Sequence, residues 1–559
     1  MCDRIFLFIG RVRAAVIIVV LVLDVLVGEM VRLEPLQPWR ATQGKGWSLR
    51  LRFHRTLFCL VLGASFGQYC EMGGPSKRTK IVATIGPASD SEEMLRRLID
   101  VGMDVARLNF SHRTAEQAKP LVERIRKVAD QTGVFIGVLG DLRGPRIRVG
   151  EMENGSIELQ RGSKLILTSE HVIGTPAKIA VSFKGLCRDV APGSIILLDD
   201  GNIELQVLEI RSNGDVLCEI LRGGELKSNK GVNLKNRLVS LPSLTTKDYL
   251  DLDFAVSEEL DFLALSFVQS SSDVRFLKQA LAERGASIPV IAKIERKNAL
   301  DDIENIVREC YGVMVARGDL ALEMSFEDVP IAQKRIITVC RNEGVPVITA
   351  TQMLESMINF HKPTRAEAAD IANAILDGSD AVMLSAESAV GRFPVEAVAT
   401  MATIAARAEE AWIKGELPIP PAIPDRSDLE AAVAHAAHAI ANSVSAKAII
   451  AATSSGGTPR RVGCHRPKMP IIALCSSKEV CRRMALSWGV QPVQYENIMG
   501  TAHLVKLSAD AATRILGAKP EDVLTIVAGT PYNMPGKTNL IKVEKISDAL
   551  RADPDSVVE

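Results

Sequence analysis

The sequence predicts an α/β protein built on a (β/α)8 TIM barrel, with an inserted antiparallel β-barrel lid domain and a C-terminal α/β domain. Three observations support this fold class. Eight short β-branched runs alternate with helical patterns between Lys80 and Ser388, as in a parallel β/α barrel. One interval between these runs is much longer than the others and has an alternating apolar and polar pattern. Beyond a proline-rich stretch, helices and strands alternate once more.

The predicted barrel strands are mostly apolar on both faces, which is the pattern of buried parallel strands. We assign residues 77–146 and 245–414 to this barrel, with amphipathic helices between the strands. The strands are predicted at Lys80–Gly86, Met103–Ser111, Phe135–Leu142, Asp261–Val268, Ile288–Glu295, Gly312–Leu320, Val345–Gln352 and Ala381–Ser388.

The long interval, residues 147–244, is predicted to form a small antiparallel β-domain inserted at the top of the barrel. Its alternating runs are separated by Asn-Gly and Gly-Gly, which are turn signals. These runs are Ser156–Leu159, Lys164–Leu167, Ile195–Leu198, Ile203–Ile210 and Asp215–Ile220.

Residues 415–427 are rich in proline and are expected to form a stiff linker. The following residues, 428–559, alternate helix and strand and are predicted to form a C-terminal α/β regulatory domain. Its strands are expected at Ala446–Thr453, Pro470–Cys475, Val490–Tyr495, Val523–Gly529 and Asn539–Ile546.

Residues 1–76 do not share the patterning of the rest of the chain. The run Ala14–Val27 is apolar apart from Asp24, but it is shorter than the ~20 residues that a membrane-spanning helix needs. No small-residue cleavage site of a signal peptide follows it. We expect this extension to result from a wrongly assigned start codon, because Met72 lies just before ordered patterning begins. A targeting or anchoring segment and a disordered arm are the alternatives.

The composition excludes several classes of function. Lys+Arg and Asp+Glu both number 67, so the formal net charge is +0, and the chain has no electrostatic footprint for nucleic acid or an anionic membrane. The 10 cysteines and 8 histidines form no C-x-x-C, H-x-x-x-H or H-E-x-x-H pattern, so no zinc site is indicated. Scattered thiols of this kind are typical of a cytoplasmic protein.

Polar side chains cluster at the ends of the predicted barrel strands, where the catalytic residues of such barrels lie. Strand five ends in Lys293-Ile-Glu295, whose spacing puts both charges on one face. A single K-x-E or R-G-D is more often a solvated face or a turn, but apolar residues precede each of these ends. The other strand ends carry Arg107, Asn109, Ser111, Asp141, Arg317, Gly318, Asp319, Thr349, Thr351 and Gln352.

This combination of charges indicates chemistry. Burying Arg107, Lys293, Glu295 and Asp319 together would be costly without charged partners or a ligand. Two carboxylates flanked by cations suit Mg²⁺, which takes one or two protein carboxylates and completes its shell with water and substrate oxygens. The adjacent arginine and lysine suit a phosphoryl group or an enolate, where negative charge accumulates.

Five segments carry a more specific pattern: TKIVATIGPAS at 79–89, ARLNFSH at 106–112, IAKIE at 291–295, VARGDL at 315–320 and TATQMLES at 349–356. Together they closely resemble the pyruvate kinase family, from about Lys77 to the C-terminus. The resemblance includes the inserted domain and the terminal domain. It implies transfer of the phosphoryl group of phosphoenolpyruvate to ADP, giving pyruvate and ATP in the last step of glycolysis.

The resemblance also implies roles for the residues at the strand ends. Glu295 and Asp319 would hold Mg²⁺, or Mn²⁺ in its place, together with phosphoenolpyruvate oxygens. Lys293 would stabilise the transferring phosphoryl group and the developing enolate. Arg107 would bind the phosphoryl group.

The same resemblance extends to the substrate carboxylate and the nucleotide. Gly318 would offer its backbone N–H to the carboxylate, and Thr351 would contact it and orient the water that protonates the enolate. Arg148 and Lys247 resemble the nucleotide-phosphate contacts of the family. The inserted domain would be a lid that excludes water during transfer.

The end of strand three departs from the commonest pattern of the family, Asp-Thr-Lys-Gly-Pro-Glu, whose members need potassium. The resemblance implies a monovalent-cation site at Asn109, Ser111, Asp141 and the carbonyl of Leu142, but Arg146 replaces the glutamate. Two positive charges about 5 Å apart repel by roughly 3 kcal/mol at an effective dielectric of about 20. We therefore expect the arginine to substitute for potassium. In the alternative, Arg146 turns to solvent at the hinge of the lid and potassium still binds.

Two loops in the terminal domain suggest a regulatory site. One follows a strand and opens a helix, where free N–H groups and hydroxyls can hold a phosphate; the other is Gly529–Asn539. They are either ordinary connections or the pocket in which the family binds an allosteric sugar phosphate or nucleotide. The phosphate loop consists of Thr453, Ser454, Ser455, Gly456 and Thr458.

Two other functions are compatible with part of this pattern. A metal-dependent barrel lyase or aldolase acting on a pyruvate enolate also needs Mg²⁺ on Glu and Asp, but it has no use for a lid that presents ADP. A metabolite-sensing or scaffold protein with a decayed site would lack one of Lys293, Glu295, Asp319 or Thr351, and all four are present. A homotetramer is the expectation from the family.

Overall fold

The computed structural model describes residues 77–235, 239–417, 428–495, 497–532, 534 and 536–549. The expectations for residues 1–76 and for the linker from 418 to 427 lie outside these described residues. None of the helices in the described part of the chain combines the length and apolar character that spanning a bilayer requires.

The described chain enters the barrel through three strands and two helices. The Ser91 side chain accepts a hydrogen bond from the N–H of Met94 at the start of the first helix. At the second helix, the N–H of Thr114 donates to the Gln117 side chain. Such caps satisfy polar groups that a helix end leaves free, so both helix starts are fixed locally. The elements are β1 (Lys80–Thr84), α1 (Glu92–Asp100), β2 (Val105–Asn109), α2 (Ala115–Thr132) and β3 (Gly137–Asp141).

The inserted segment forms the predicted β-domain, with a six-stranded sheet in the order β11-β7-β8-β9-β5-β6 and a two-stranded sheet of β10 and β4. The β5–β6 pairing is parallel, whereas the others in these sheets are antiparallel. Strands β6, β10 and β11 were not predicted. The elements are β4 (Ser156–Leu159), β5 (Lys164–Thr168), β6 (Lys178–Ala180), α3 (Leu186–Asp189), β7 (Ile195–Leu198), β8 (Ile203–Ile210), β9 (Val216–Arg222), β10 (Gly224–Lys227) and β11 (Val232–Leu234).

The chain then returns to the barrel and closes it. The strand order β1-β16-β15-β14-β13-β12-β3-β2 forms a closed parallel barrel, which confirms the predicted fold class. The returning elements are α4 (Thr246–Ser257), β12 (Phe262–Leu265), α5 (Ser271–Ala282), β13 (Val290–Ile294), α6 (Lys297–Asp301), α7 (Ile303–Glu309), β14 (Gly312–Ala316), α8 (Arg317–Glu323), α9 (Val329–Glu343), β15 (Val347–Ala350), α10 (Arg365–Asp377), β16 (Ala381–Leu384), α11 (Ala386–Ala389) and α12 (Pro394–Ile413).

The C-terminal part is the predicted α/β domain. Its sheet has the order β19-β18-β17-β20-β21, with β21 antiparallel to β20. The elements are α13 (Leu429–Ser443), β17 (Ala448–Thr453), α14 (Gly457–Cys464), β18 (Ile471–Cys475), α15 (Lys478–Met484), β19 (Val490–Gln494), α16 (Thr501–Leu516), β20 (Val523–Ala528), β21 (Leu540–Lys545) and α17 (Ile546–Ala549).

The C-terminal domain closes one end of the barrel. Leu486, just after α15, is fully buried in the cluster that fills the barrel interior together with Phe262 and Met314. Beside it, Arg482 donates to the buried Asp261 carboxylate at 2.7 Å. Asp261 directly precedes β12, so this closed end is the N-terminal end of the strands. The site therefore has to open at their C-terminal ends.

Two predicted strand ends were wrong. The eighth strand was expected to run to Ser388, but β16 ends at Leu384 and α11 begins at Ala386. The sixth strand was expected to run to Leu320, but β14 ends at Ala316 and α8 begins at Arg317. Leu320 is fully buried in α8. In the sequence, a buried apolar residue at the start of a helix cannot be distinguished from the end of a buried strand. The Arg-Gly-Asp triplet therefore lies in the first turn of α8.

Candidate active site at the barrel rim

A buried cluster of opposite charges joins β2, β3 and β13. Arg107 donates to Oδ2 of Asp141 from Nε at 2.7 Å, and its Nη2 is also 2.7 Å from that oxygen. The Lys293 ammonium lies 3.3 Å from Oδ1 of the same carboxylate. Burial raises the pKa of Asp141, but the attraction of Lys293 and Arg107 outweighs burial and lowers that pKa overall. Asp141 is therefore an anion that holds both cations at the rim.

Glu295 follows β13 and completes this cluster. Its Oε1 lies 2.9 Å from Nζ of Lys293, and its Oε2 accepts a 2.6 Å hydrogen bond from the N–H of Phe267. Burial and the repulsion of Asp319 raise the pKa of Glu295 in spite of the attraction of Lys293. For Lys293, burial lowers the pKa, but Asp141 and Glu295 outweigh it and raise the pKa overall. A second cation near Glu295 and Asp319 would relieve their repulsion.

Asp319 lies on the next connection, in the first turn of α8. Its side chain is 29% exposed, and its Oδ1 is 3.6 Å from Nη2 of Arg146. The same Arg146 nitrogen is 3.6 Å from Asp200 of the inserted domain. Within the described residues, no hydrogen bond or ion pair joins Arg146 to the predicted monovalent-cation ligands. Arg146 therefore bridges the insertion and the barrel, facing Asp319.

Gly318 and Thr351, the predicted contacts of the substrate carboxylate, are brought together. The N–H of Gly318 donates to the Thr351 hydroxyl at 2.9 Å, and that hydroxyl donates to the carbonyl of Ala350 at 2.6 Å. Thr351 has a φ of 67°, in the left-handed region that β-branched residues rarely adopt. The hydroxyl and the N–H would each have to exchange a bond to contact a substrate.

Three of the four predicted ligands of a monovalent cation, Asn109, Asp141 and Leu142, already have a donor or a cation beside their oxygens. The N–H of Ser111 donates to Oδ1 of Asn109 at 3.1 Å, and the carbonyl of Leu142 accepts a hydrogen bond from Ser266 at 2.8 Å. The Asp141 carboxylate is held between Arg107 and Lys293. Each of these oxygens therefore has a donor or a cation beside it.

Arg148 and Lys247, the predicted nucleotide contacts, have different surroundings. Nη1 of Arg148 donates to the carbonyl of Asn229 at 2.7 Å, but its Nε is buried without a hydrogen-bond partner in the described chain. Burial, followed by repulsion from two neighbouring arginines, lowers the pKa of Arg148. The Lys247 ammonium is 2.7 Å from Asp251. Arg148 thus has a donor without a partner, although it is buried, whereas Lys247 is engaged by a carboxylate.

The structure adds three residues that the sequence predictions missed. Ser266, just after β12, accepts a 2.7 Å hydrogen bond from Lys293; it is the first polar residue after an apolar strand, a signal that could have identified it. Arg296 is buried over the Phe267 ring, and no hydrogen-bond partner for its Nε or Nη1 lies in the described residues. Burial raises the pKa of Glu323 on α8 to about 7. Neither of these two carried a sequence signal.

The two predicted loops of the C-terminal domain enclose a pocket of about 160 Å³. They are joined by a 2.7 Å hydrogen bond between the hydroxyls of Thr458 and Thr538. Gly456 has a φ of +87°, and a side chain there would collide with the methyl group of Met484; its N–H donates to Thr453 at 2.7 Å. The lining includes Thr453, Ser454, Ser455 and Thr458 from the phosphate loop, Lys537 from the second loop, and the unpredicted Arg460, Arg461, Ser476, Tyr495 and Asn497.

The rim cluster suits an anionic substrate bound with a metal ion. No group of three or more His, Cys, Asp or Glu side chains is arranged to hold a metal within the described residues. A metal at Glu295 and Asp319 would therefore take its other ligands from water and substrate, as Mg²⁺ does. Lys293 lies beside Glu295, and Arg107 joins the same cluster through Asp141. Both cations favour groups in which negative charge increases.

Comparison with known proteins agrees with the family resemblance of the sequence, for the barrel and for the C-terminal domain. Residues 76–398 match the family model described as "Pyruvate kinase, barrel domain", and residues 431–544 match "Pyruvate kinase, alpha/beta domain". A pyruvate kinase of Staphylococcus aureus is 46% identical over 481 residues, which is 85% of this chain and 81% of the relative. A pyruvate kinase of Staphylococcus saprophyticus is 46% identical over 482 residues, with the same coverage.

A solved structure agrees with these relatives. The crystal structure of a pyruvate kinase from Cryptosporidium parvum superimposes with a TM-score of 0.78 at 38% sequence identity, over 84% of this chain and 96% of that chain. The chain therefore belongs to the pyruvate kinase family.

Proposed function

We propose that the rim cluster catalyses the pyruvate kinase reaction, in which the phosphoryl group of phosphoenolpyruvate is transferred to ADP to give pyruvate and ATP. The observation that carries this proposal is the position of Lys293, between the carboxylates of Asp141 and Glu295 at 3.3 Å and 2.9 Å. Both carboxylates keep the ammonium charged at the strand ends. A fixed positive charge at this point stabilises the enolate that remains when the phosphoryl group leaves.

Members of the pyruvate kinase family use a divalent metal. We propose Mg²⁺ on Glu295 and Asp319, with Mn²⁺ able to replace it. The donor set fits this ion, because Glu295 and Asp319 offer carboxylate oxygens, the protein ligands that Mg²⁺ takes. Burial, and with it the repulsion of Asp319, raises the pKa of Glu295, and a divalent cation would offset both effects. When bound, the metal would neutralise charge on the phosphoryl oxygens.

The chain's own residues would do the rest. Arg107, whose Nη1 donates to Thr84 at 2.8 Å, is held rigidly enough to orient the phosphoryl group. Lys293 would stabilise the enolate oxygen. Gly318 and Thr351 would bind the carboxylate, with Thr351 orienting the water whose proton goes to the terminal carbon.

The inserted domain, residues 147–244, would act as the lid. Arg146 lies at its base and joins Asp319 of the barrel to Asp200 of the insertion. Closure of the lid would therefore act on the proposed metal site through Arg146. Arg148 would bind an ADP phosphate through its unpartnered Nε only after the side chain moves, because that nitrogen is buried. Lys247 would join it only after leaving Asp251.

The proposed reaction is tested by measuring pyruvate and ATP formation from phosphoenolpyruvate with and without ADP. Equal amounts of pyruvate and ATP that depend on ADP support phosphoryl transfer. Pyruvate release without ADP would instead indicate transfer of the phosphoryl group to water. No turnover by folded protein would indicate a decayed site, or a lyase or aldolase that does not act on phosphoenolpyruvate.

We expect activity that does not require potassium. The oxygens of Asn109, Asp141 and Leu142 are already engaged within the chain, and Arg146, whose side chain is 37% exposed, places a positive charge 3.6 Å from Asp319. The rate in a bulky ammonium buffer free of potassium and sodium should therefore change by less than about twofold on adding potassium chloride, a difference of about 0.4 kcal/mol.

Arg146→Glu should create the potassium requirement that the parent lacks. Arg188→Glu is the matched control. Arg188 is exposed on the inserted domain, and replacing it with Glu makes the same charge change away from the rim. A large stimulation of the parent by potassium chloride, absent with the bulky salt at equal ionic strength, would refute this interpretation.

We propose that the pocket between the two C-terminal loops binds a phosphorylated allosteric effector. Hydroxyls, the free N–H groups that begin α14, and the cations Arg460 and Lys537 line it, and such groups bind phosphate. Ser455→Ala combined with Lys537→Met should raise the effector concentration for half-activation by at least about tenfold, or about 1.4 kcal/mol, and leave the unactivated rate intact.

The control for the effector pocket is Ser443→Ala, because Ser443 donates to Ala439 within α13 and does not line the pocket. A panel of sugar phosphates and AMP measures activation as a shift of the phosphoenolpyruvate saturation curve. If no compound shifts the curve of the parent, the pocket has no such role.

The remaining proposals concern assembly and location. A homotetramer is expected, and Phe326 and Ile331, which are 83% and 67% exposed, provide apolar surface for an interface. Sedimentation velocity would measure the assembly. We propose a cytoplasmic location, which the free thiols of the described cysteines support; cell fractionation tests it.

A further inference from the structure

The end of β15 has an unfavourable backbone that a neighbouring arginine holds in place. Thr351 and Gln352 have φ values of 67° and 55°, so two consecutive residues with Cβ atoms lie in the left-handed region. Such a conformation persists only where the surroundings determine it. Arg317, the first residue of α8, supplies those surroundings.

Arg317 donates to the carbonyl groups of this segment in a fork. Its Nη2 lies 2.6 Å from the carbonyl oxygen of Thr351 and 3.3 Å from that of Gln352. Its Nε lies 3.2 Å from the Thr351 oxygen and 3.3 Å from that of Ala350. Three successive carbonyl groups are thus bound by one guanidinium, which an ammonium group could not reproduce.

The third nitrogen of Arg317 anchors the fork to a helix. Nη1 lies 2.6 Å from Oδ2 of Asp370 on α10, and the Arg317 side chain is only 11% exposed. Arg317 also precedes Gly318, whose N–H donates to the Thr351 hydroxyl. Arg317 therefore binds the carbonyl group of Thr351, and its neighbour in the chain, Gly318, binds the hydroxyl.

We propose that Arg317, oriented by Asp370, is a positioning residue for the protonation half of the reaction. It holds Thr351 in the left-handed conformation from which the hydroxyl, once it exchanges its bond to the carbonyl of Ala350, would reach the substrate. This inference rests on the proposed function, in which Thr351 orients the water that gives its proton to the terminal carbon of the enolate. It does not place Arg317 in contact with substrate, and it assigns no role to Arg317 in moving the phosphoryl group.

The two half-reactions can be measured separately. Protonation is followed in reverse, by NMR, as replacement of a methyl proton of bound pyruvate by deuterium from D₂O; the proton leaves to solvent and a deuteron takes its place. Phosphoryl transfer is followed as ATP formed in a single turnover. Arg317→Lys should slow deuterium exchange by at least about tenfold, because a displacement of ~1 Å costs up to ~100-fold, and should change ATP formation by less than about threefold.

A double-variant cycle with Thr351→Ala separates positioning from general destabilisation. If Arg317 acts through Thr351, Arg317→Lys should have little further effect on exchange in the Thr351→Ala background. Arg284→Lys is the matched control, since Arg284 is 2.6 Å from Asp253 and 2.9 Å from the carbonyl of Ala280 but does not contact the rim. It should leave both half-reactions unchanged.

Asp370→Asn is the second variant, because Asp370 is 37% exposed and its replacement is isosteric. It should slow exchange in the same direction by a smaller factor, and thermal denaturation shows whether either variant is folded. An equal loss in both half-reactions, or no loss in exchange by folded variants, would overturn the proposal. Failure of the parent to form ATP from phosphoenolpyruvate and ADP would instead reject the proposed function itself.

Discussion

Replacing Asp319 by Asn, or Glu295 by Gln, is expected to lower kcat by at least about a hundredfold with Mg²⁺, since losing a metal carboxylate costs several kcal/mol and ~1.4 kcal/mol corresponds to tenfold. The fold should remain intact. Asp319 is 29% exposed and forms its ion pair with Arg146. Glutamine at 295 can still accept the hydrogen bond that Phe267 donates to Glu295 at 2.6 Å.

Two measurements distinguish metal loss from general damage. Electron paramagnetic resonance with Mn²⁺ alone should show weaker binding by both variants than by the parent. Asp301→Asn is the control, because Asp301 is an exposed carboxylate on α6 that lies outside the proposed site. A variant that kept more than about a tenth of the parent kcat would have lost less than ~1.4 kcal/mol of transition-state stabilisation. Its carboxylate would then not be a metal ligand.

The barrel was predictable because buried parallel strands are continuous apolar runs. All eight observed strands lie inside the predicted ranges, since a polar residue marks each strand end. In the insertion, the two edge strands of the six-stranded sheet, β6 and β11, were not predicted. Each has only three residues. A strand that short has too few residues for a two-residue period to be distinguished from chance.

The rim charges were predictable because strands of one barrel end at one edge, which brought Arg107, Asp141 and Lys293 together. The bonds of Arg317 were not predictable. They depend on the left-handed backbone of Thr351 and Gln352. A β-branched residue such as threonine disfavours this conformation, so the sequence gives no sign of it.

Lys247 has one predicted role and one observed contact. Its resemblance to a nucleotide contact of the family concerns only the residue type, whereas its ion pair with Asp251 at 2.7 Å follows from the i, i+4 spacing on α4. The structure shows the ion pair, and the nucleotide role of Lys247 stays a prediction.

Lys293→Met should lower kcat by about a hundred- to a thousandfold, the usual loss for one preorganised electrostatic group, and change the KM for phosphoenolpyruvate by much less. The charge is needed most when the bridging oxygen becomes an enolate, which occurs after binding. Because the pKa of Lys293 is raised, with Asp141 and Glu295 outweighing burial, the parent lysine stays protonated at neutral pH. The loss should therefore be similar from pH 6 to 8. Steady-state kinetics across this range would measure it.

Two further variants decide what the loss of Lys293 means. Lys297→Met removes an exposed lysine of α6 and should leave kcat unchanged. Lys293→Arg keeps the charge but cannot keep the 2.7 Å hydrogen bond to Ser266 and the 2.9 Å contact to Glu295 together, so it should restore only part of the rate. An unchanged kcat with a raised KM for Lys293→Met would make this lysine a binding residue. Full activity of Lys293→Arg would show that the charge matters and its exact position does not.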